Sequence, residues 1–198
     1  MKDYQDQTFV IFDVETTGLS PENGDRIVEI AALRFKNFQV EERFETLINP
    51  ERPIAIEAYL VNGISELMVA QAPRMRDIMD RLLTFIADAY LVAHNLKFDL
   101  GFLNRELHIA GSFSLENLRT LDTLKMAKSL LPSLGSYSLK SVAYYLQIRE
   151  IQKHRAMADV EMTFEVFKRL LTLAQSRGID DFSRWQYKNN SPRQWTRY

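Results

Sequence analysis

Two acids, Asp13 and Glu15, interrupt the apolar run FVIFDVETTGLS at residues 9–20. Residues two apart on a strand share a face, so both carboxylates project together. Like charges a few ångströms apart repel, and one of them keeps a proton unless a cation neutralises the pair. The pair reads either as part of a cation site or as the polar end of a strand entering the loop TTGLS, and more acids must converge before metal chemistry follows. Asp99, in LKFDLGFLNRELHIAG, sits one turn from Leu103 beside a stripe of Phe98, Phe102, Leu103 and Leu107. There an ionised side chain needs a partner; the alternative is a first-turn acid favoured by the helix dipole, behind Asn95 as N-cap. Asp159, in HRAMADVEMTF, lies at the margin of an inward face traced by Ala156, Val160, Thr163, Phe164 and Phe167. His154 precedes it by five residues, about 140° around a helix, so it reaches the same site only from the entering loop. Hard carboxylate oxygens suit Mg²⁺ or Mn²⁺, and a histidine titrating near neutrality can take a proton from water. His94 and His108 read as surface or satisfied core residues.

These side chains need a scaffold, and the sequence patterns supply one. Residues 9–14 are almost continuously apolar, as in a strand covered on both faces. RIVEIAALRF (26–35) follows the turn residues of SPENGD, and FQVEERFETLINP (38–50) follows the tight connection KN, which gives three consecutive strands. Residues 54–72 read as helical turns. Pro73 then opens a helix with Met75, Ile78, Met79, Leu82, Leu83 and Ile86 at helical spacing. YLVAHN (90–95) reads as a fourth strand, followed by a helix that Gly111 closes. LRTLDT reads as a fifth strand running into the helix TLKMAKSLL, and helices over 138–148 and 154–178 complete the pattern. The expectation is an α/β fold: a mixed five-stranded sheet flanked by helices.

The chain has 198 residues, 46% hydrophobic and 26% charged, enough for one domain with a substantial core. No apolar run approaches the roughly 20 residues of a membrane span, and the first residues are polar, so a cytoplasmic protein without signal peptide or membrane association is expected. The absence of cysteine excludes disulfides, thiolate metal sites and a cysteine nucleophile. A net charge of −1 shows no general basicity of the kind that coats long nucleic acids. That total includes the four acids above, so the rest of the chain is mildly cationic. The last stretch, by contrast, interleaves Arg177, Arg184, Lys188, Arg193 and Arg197 with Phe182, Trp185, Tyr187, Trp195 and Tyr198. A domain over residues 1–178 and a basic, aromatic extension over 179–198 are therefore expected.

The motifs DVETTG, HNLKFDLGFL and HRAMAD, in that order, resemble the three motifs of the DEDDh 3′-to-5′ exonucleases, a ribonuclease H-like family that includes the proofreading ε subunit of bacterial replicative polymerase. IVEIAAL, LDTLKMAKSLLP and SYSLKSVAYYL are similar to the family's connecting segments, and the resemblance runs from Phe9 to about Ala174. It implies a ribonuclease H-like sheet, Asp13, Glu15, Asp99 and Asp159 as ligands of two divalent cations, Mg²⁺ or Mn²⁺, and His154 as general base. Such cations, roughly 3.5 to 4 Å apart, serve the attacking and leaving oxygens of a phosphodiester. The resemblance further implies that TTGL holds the terminal nucleotide, with backbone groups and Thr16 near its 3′ hydroxyl, Leu19 against its base, Thr17 and Asn95 among the substrate contacts, and Phe98 and Phe102 as apolar walls or as core. Many relatives carry histidine where this chain has Asn62, which leaves that nucleotide contact open.

The function expected is metal-dependent 3′-to-5′ hydrolysis of a single-stranded or frayed DNA end, in proofreading or repair. The alternatives are trimming of RNA and a non-catalytic nucleic-acid-binding domain. The sequence shows no polymerase domain, so any DNA polymerase is expected to be a separate partner.

Overall fold

The computed structural model describes residues 6–111, 118–131, 133–149, 155–179 and 181–187. Strands β1 (Thr8–Thr16), β2 (Ile27–Lys36) and β3 (Gln39–Leu47) form an antiparallel meander. The turn between β2 and β3 is two residues long, with Asn37 and Phe38 both at positive φ (48° and 58°), as a hairpin matched to strand twist demands. Phe38 tolerates that backbone while stacking on Phe35, ring centroids 6.4 Å apart. Strands β4 (Tyr90–Ala93) and β5 (Thr120–Asp122) add in parallel on the other side of β1, and the sheet order is β3-β2-β1-β4-β5. The expected mixed five-stranded sheet is the one observed, with β5 only three residues long.

Seven helices accompany the sheet among the described residues: α1 (Ile56–Asn62), α2 (Glu66–Val69), α3 (Met75–Ile86), α4 (Leu96–Ile109), α5 (Thr123–Leu130), α6 (Leu139–Tyr145) and α7 (Ala156–Ser176). Helix α3 begins two residues after Pro73, where Asp77 Oδ2 accepts the Arg74 N–H at 2.9 Å. Alternation along β1 and β2 divides the core in two. Phe9, Ile11, Leu33 and Phe35 face α5, α6 and α7. There the Phe35 ring meets Phe164 edge-on at 4.8 Å and Phe9 stacks on Phe35 at 5.4 Å. Val10, Phe12, Ile30 and Ala32 face α3 and α4. Covered on both sides, β1 has the continuous apolar run that its sequence shows.

Within the expected extension, residues 181–187 pack back on the domain. Trp185 is 1% exposed among the residues of the α7 face. Lys125 Nζ donates to Gln186 O at 2.9 Å, and the Tyr187 N–H donates to Thr120 Oγ1 at 3.1 Å. Residues 188–198, with most of the extension's basic side chains, lie outside the described residues. Among the described residues no helix is long and apolar enough to cross a membrane.

Candidate active site

The site forms because β1 is longer than its parallel neighbour. Pairing of β1 with β4 runs from Phe9–Tyr90 to Ile11–Val92, and β4 ends at Ala93. Residues 13–16 of β1 therefore overhang the carboxyl ends of the parallel strands, where crevices open in α/β sheets. The Val14 N–H, left without a strand partner on that side, donates to Asp99 Oδ1 at 3.3 Å. Asp99 sits in the first turn of α4 and is 3% exposed. From the opposite face, Asp13 and Glu15 point toward α7, whose first turn carries Asp159. Asp13, Glu15 and Asp159 each offer a carboxylate oxygen within 4.8 Å of the others. All four sequence-predicted acids thus converge on one strand end. His154 lies outside the described residues.

The electrostatics are those of a predominantly anionic cluster, with Arg155 offsetting part of the charge at Glu15. Burial, then the charges of Asp99, Asp159, Glu15 and Glu29, push Asp13 well above the ordinary carboxylate range. Burial, then Asp159 and Glu29, push Glu15 from 4.5 to about 7, while the Asn62 side chain and Arg155 pull the other way. Asp99 is raised mainly by burial, partly offset by hydrogen bonds from its own N–H and that of Val14, and raised further by Asp122 and Glu15. Three oxygen donors this close, in groups that resist ionising together, fit a divalent cation, which would make the ionised forms the stable ones.

The loop after β1 is braced internally. The Thr16 hydroxyl donates to Gly18 O at 2.6 Å, and Thr17 Oγ1 donates to Asp25 Oδ1 and accepts the Arg26 N–H, both at 3.1 Å. Thr17 is fully buried. A Cβ on Gly18 would lie 2.4 Å from the Asp25 carboxylate, so only glycine lets the loop close over that side chain. Leu19, by contrast, is 85% exposed beside the site. Asn62 is buried; its amide nitrogen donates to the Glu15 carboxylate and to Thr16 O at 3.3 Å, and its carbonyl accepts the Ile64 N–H at 2.9 Å. Phe102 is a core residue, and Phe98 is half-buried against it with centroids 5.0 Å apart.

Asn95 occupies the N-cap position of α4 but makes no side-chain cap bond. Its backbone is left-handed (φ 71°), and its N–H is held by Asp122 Oδ1 at 3.2 Å. Asp122 also caps α5 through the Leu124 N–H at 2.9 Å. His94 is a satisfied core histidine: its ring nitrogens meet Thr123 Oγ1 at 2.9 Å and Tyr137 O at 2.8 Å, and burial lowers its pKa. Two buried glutamates escaped the sequence reading. Glu106 on α4 takes a bidentate bond from Arg26 (2.7 and 2.8 Å) and the Ile27 N–H (3.2 Å), tying the far end of the loop to α4. Glu29 on β2 pairs with Arg155 at the start of α7. Sequence separations of 80 and 126 residues hid both pairs; an acid inside an otherwise apolar strand, as at Glu29, is the one local signal.

Comparison with known proteins bears on this arrangement. The sequence model described as exonuclease, of the RNase T type, matches residues 10–167. The chain is 41% identical over 165 residues to the 3′-5′ exonuclease DinG of Bacillus subtilis, covering 83% of this chain and 18% of the relative. It is 42% identical over 180 residues to a DNA polymerase III subunit epsilon-like protein of Rhodobacter capsulatus, covering 88% and 25%. The chain thus spans a quarter or less of the length of these relatives. Among solved structures, exonuclease X in complex with 5′ overhanging duplex DNA superposes with a TM-score of 0.67 at 25% identity, covering 86% of this chain and 93% of that one.

Proposed function

This chain belongs to the exonuclease family of the RNase T type, and from that premise we propose that it is a metal-dependent 3′-to-5′ exonuclease acting on DNA ends in proofreading or repair. The observation that carries the reading is the meeting of Asp13, Glu15 and Asp159 within 4.8 Å at the overhanging end of β1, with Asp99 hydrogen-bonded to the same strand end. These four carboxylates would hold two divalent cations, Mg²⁺ or Mn²⁺. Bound there, the cations would supply neutralisation of the charge that develops on the phosphodiester.

The chain's own groups do the rest. His154, just before α7 in sequence, takes the proton of the attacking water as general base, work worth typically 10² to 10⁴-fold. Leu19, exposed at the rim, packs on the terminal base. The internally bonded hydroxyls of Thr16 and Thr17 hold the loop in shape and leave its backbone to meet the 3′ end. We take residues 1–178 as the catalytic domain, with the segment through Tyr187 as its packed border. Similarity to an epsilon-like polymerase subunit supports a separate DNA polymerase as partner, and a DNA-end substrate supports a cytoplasmic site of action.

The test is degradation of 5′-labelled single-stranded DNA and RNA of matched sequence, each with Mg²⁺, Mn²⁺ or EDTA. Stepwise shortening of DNA that EDTA stops, faster than that of RNA, is expected. Faster loss of RNA would replace DNA by RNA as the substrate, and no loss of either under any metal would overturn the enzymatic reading.

A further inference from the structure

Glu29 is a charge that the proposed reaction does not use. It is 0% exposed in β2 and stands in register opposite Glu15, so both side chains leave the same face of the sheet. A carboxylate so placed needs compensation. It finds this at α7. Arg155 Nε donates to Oε1 and Oε2 at 2.9 and 3.0 Å, Arg155 Nη2 also donates to Oε1, and the Ala156 N–H donates to Oε2 at 3.1 Å. Arg155 is the N-cap residue of α7, and its own side chain makes no cap bond. Glu29 therefore supplies that cap from a strand 126 residues away in sequence. Asp159 follows one turn later, and Arg155 directly follows His154 in the chain.

We propose that the Glu29–Arg155 ion pair is a positioning element of the active centre. It docks the N-terminus of α7 on β2 so that Asp159 meets Asp13 and Glu15, and it sets the Arg155 charge against that of Glu29, which otherwise adds unopposed to theirs. The inference rests on the metal-dependent nuclease reading. The planar fork of arginine fixes the rotation of the helix end through several bonds, whereas lysine offers a point charge. Partners that orient metal ligands typically cost 10- to 100-fold in affinity or activity when removed.

The experiment measures Mn²⁺ binding by electron paramagnetic resonance without nucleic acid, alongside kcat and KM on a 5′-labelled oligonucleotide. The full chain is compared with Glu29→Gln, Arg155→Lys and the double variant Glu29→Gln/Arg155→Gln. For each single variant, folded by circular dichroism, Mn²⁺ affinity and kcat fall roughly 10- to 100-fold with KM unchanged. The double variant, which leaves no unpaired charge, recovers part of the loss, as coupled partners do. If Glu29→Gln does not fold, Arg155→Lys, altered at a side chain that reaches solvent, carries the same test. Wild-type Mn²⁺ affinity and kcat in the folded single variants, or a rise in KM alone, overturns the inference. Absence of Mn²⁺ binding by the unaltered chain instead overturns the metal-dependent reading, and the inference with it.

Discussion

Glu15→Gln isolates the electrostatic cost of the site in the metal-free protein. Glu15 rises from 4.5 to about 7 on folding, first through burial and then through Asp159 and Glu29. Below the lower value both folded and unfolded chains hold the proton, and the carboxyl costs nothing. As pH climbs through the window from 4.5 to about 7, the unfolded chain releases its proton while the folded chain keeps it, so stability falls. Above the window the full cost is present, about 3 kcal/mol. In EDTA, Glu15→Gln and wild type are therefore expected to melt together near pH 4.5. The variant melts higher at pH 8, by about 6 to 12 °C for a chain of this size. Saturating Mg²⁺ raises the wild-type melting temperature at pH 8 and raises that of the variant less. Thermal unfolding followed by circular dichroism across this pH range is the assay. A difference independent of pH, or a variant less stable than wild type at pH 8, refutes the reasoning.

Asp13→Ala and Asp159→Ala abolish hydrolysis while leaving the metal-free melting temperature equal to wild type or higher, because each removes a repelled carboxylate; a nuclease assay paired with a melt checks both. His154→Ala lowers kcat by roughly 10² to 10⁴-fold across the pH profile while Mn²⁺ still binds, and a neutral effect would remove it as the base. Trp185→Ala costs about 3 to 5 kcal/mol in urea unfolding, as the loss of a buried tryptophan does, if residues 181–187 belong to the folded unit.

The parts of the site legible in the sequence were those that local periodicity encodes. Asp13 and Glu15 were readable as one face because strand side chains alternate, and β1 was readable as doubly covered because residues 9–12 are all apolar and buried. Asp99 and Asp159 were ambiguous one by one, since a first-turn acid serves a helix dipole as well as a cation; only their order with DVETTG separated the two. What stayed hidden depends on distant pairing. Nothing near Glu29 announces Arg155, nothing near Arg26 announces Glu106, and the need for glycine at position 18 lies in Asp25, which folds back beneath it. Side-chain type at Thr17 and Asn62 likewise does not reveal the bonds that Thr17 makes with Asp25 and that Asn62 makes with main chain and Glu15.

The central claim is that this carboxylate cluster hydrolyses DNA from its 3′ end. It is met most directly by following 5′-labelled single-stranded DNA in Mn²⁺ with wild type and with Asp159→Asn prepared identically, each on a free 3′ end and on one closed by phosphorothioate linkages. The account predicts a ladder that shortens one nucleotide at a time from the free end, no ladder from the closed end, and none with the variant. Internal cuts, early release of the 5′ label as a mononucleotide, or equal degradation by wild type and Asp159→Asn would contradict it.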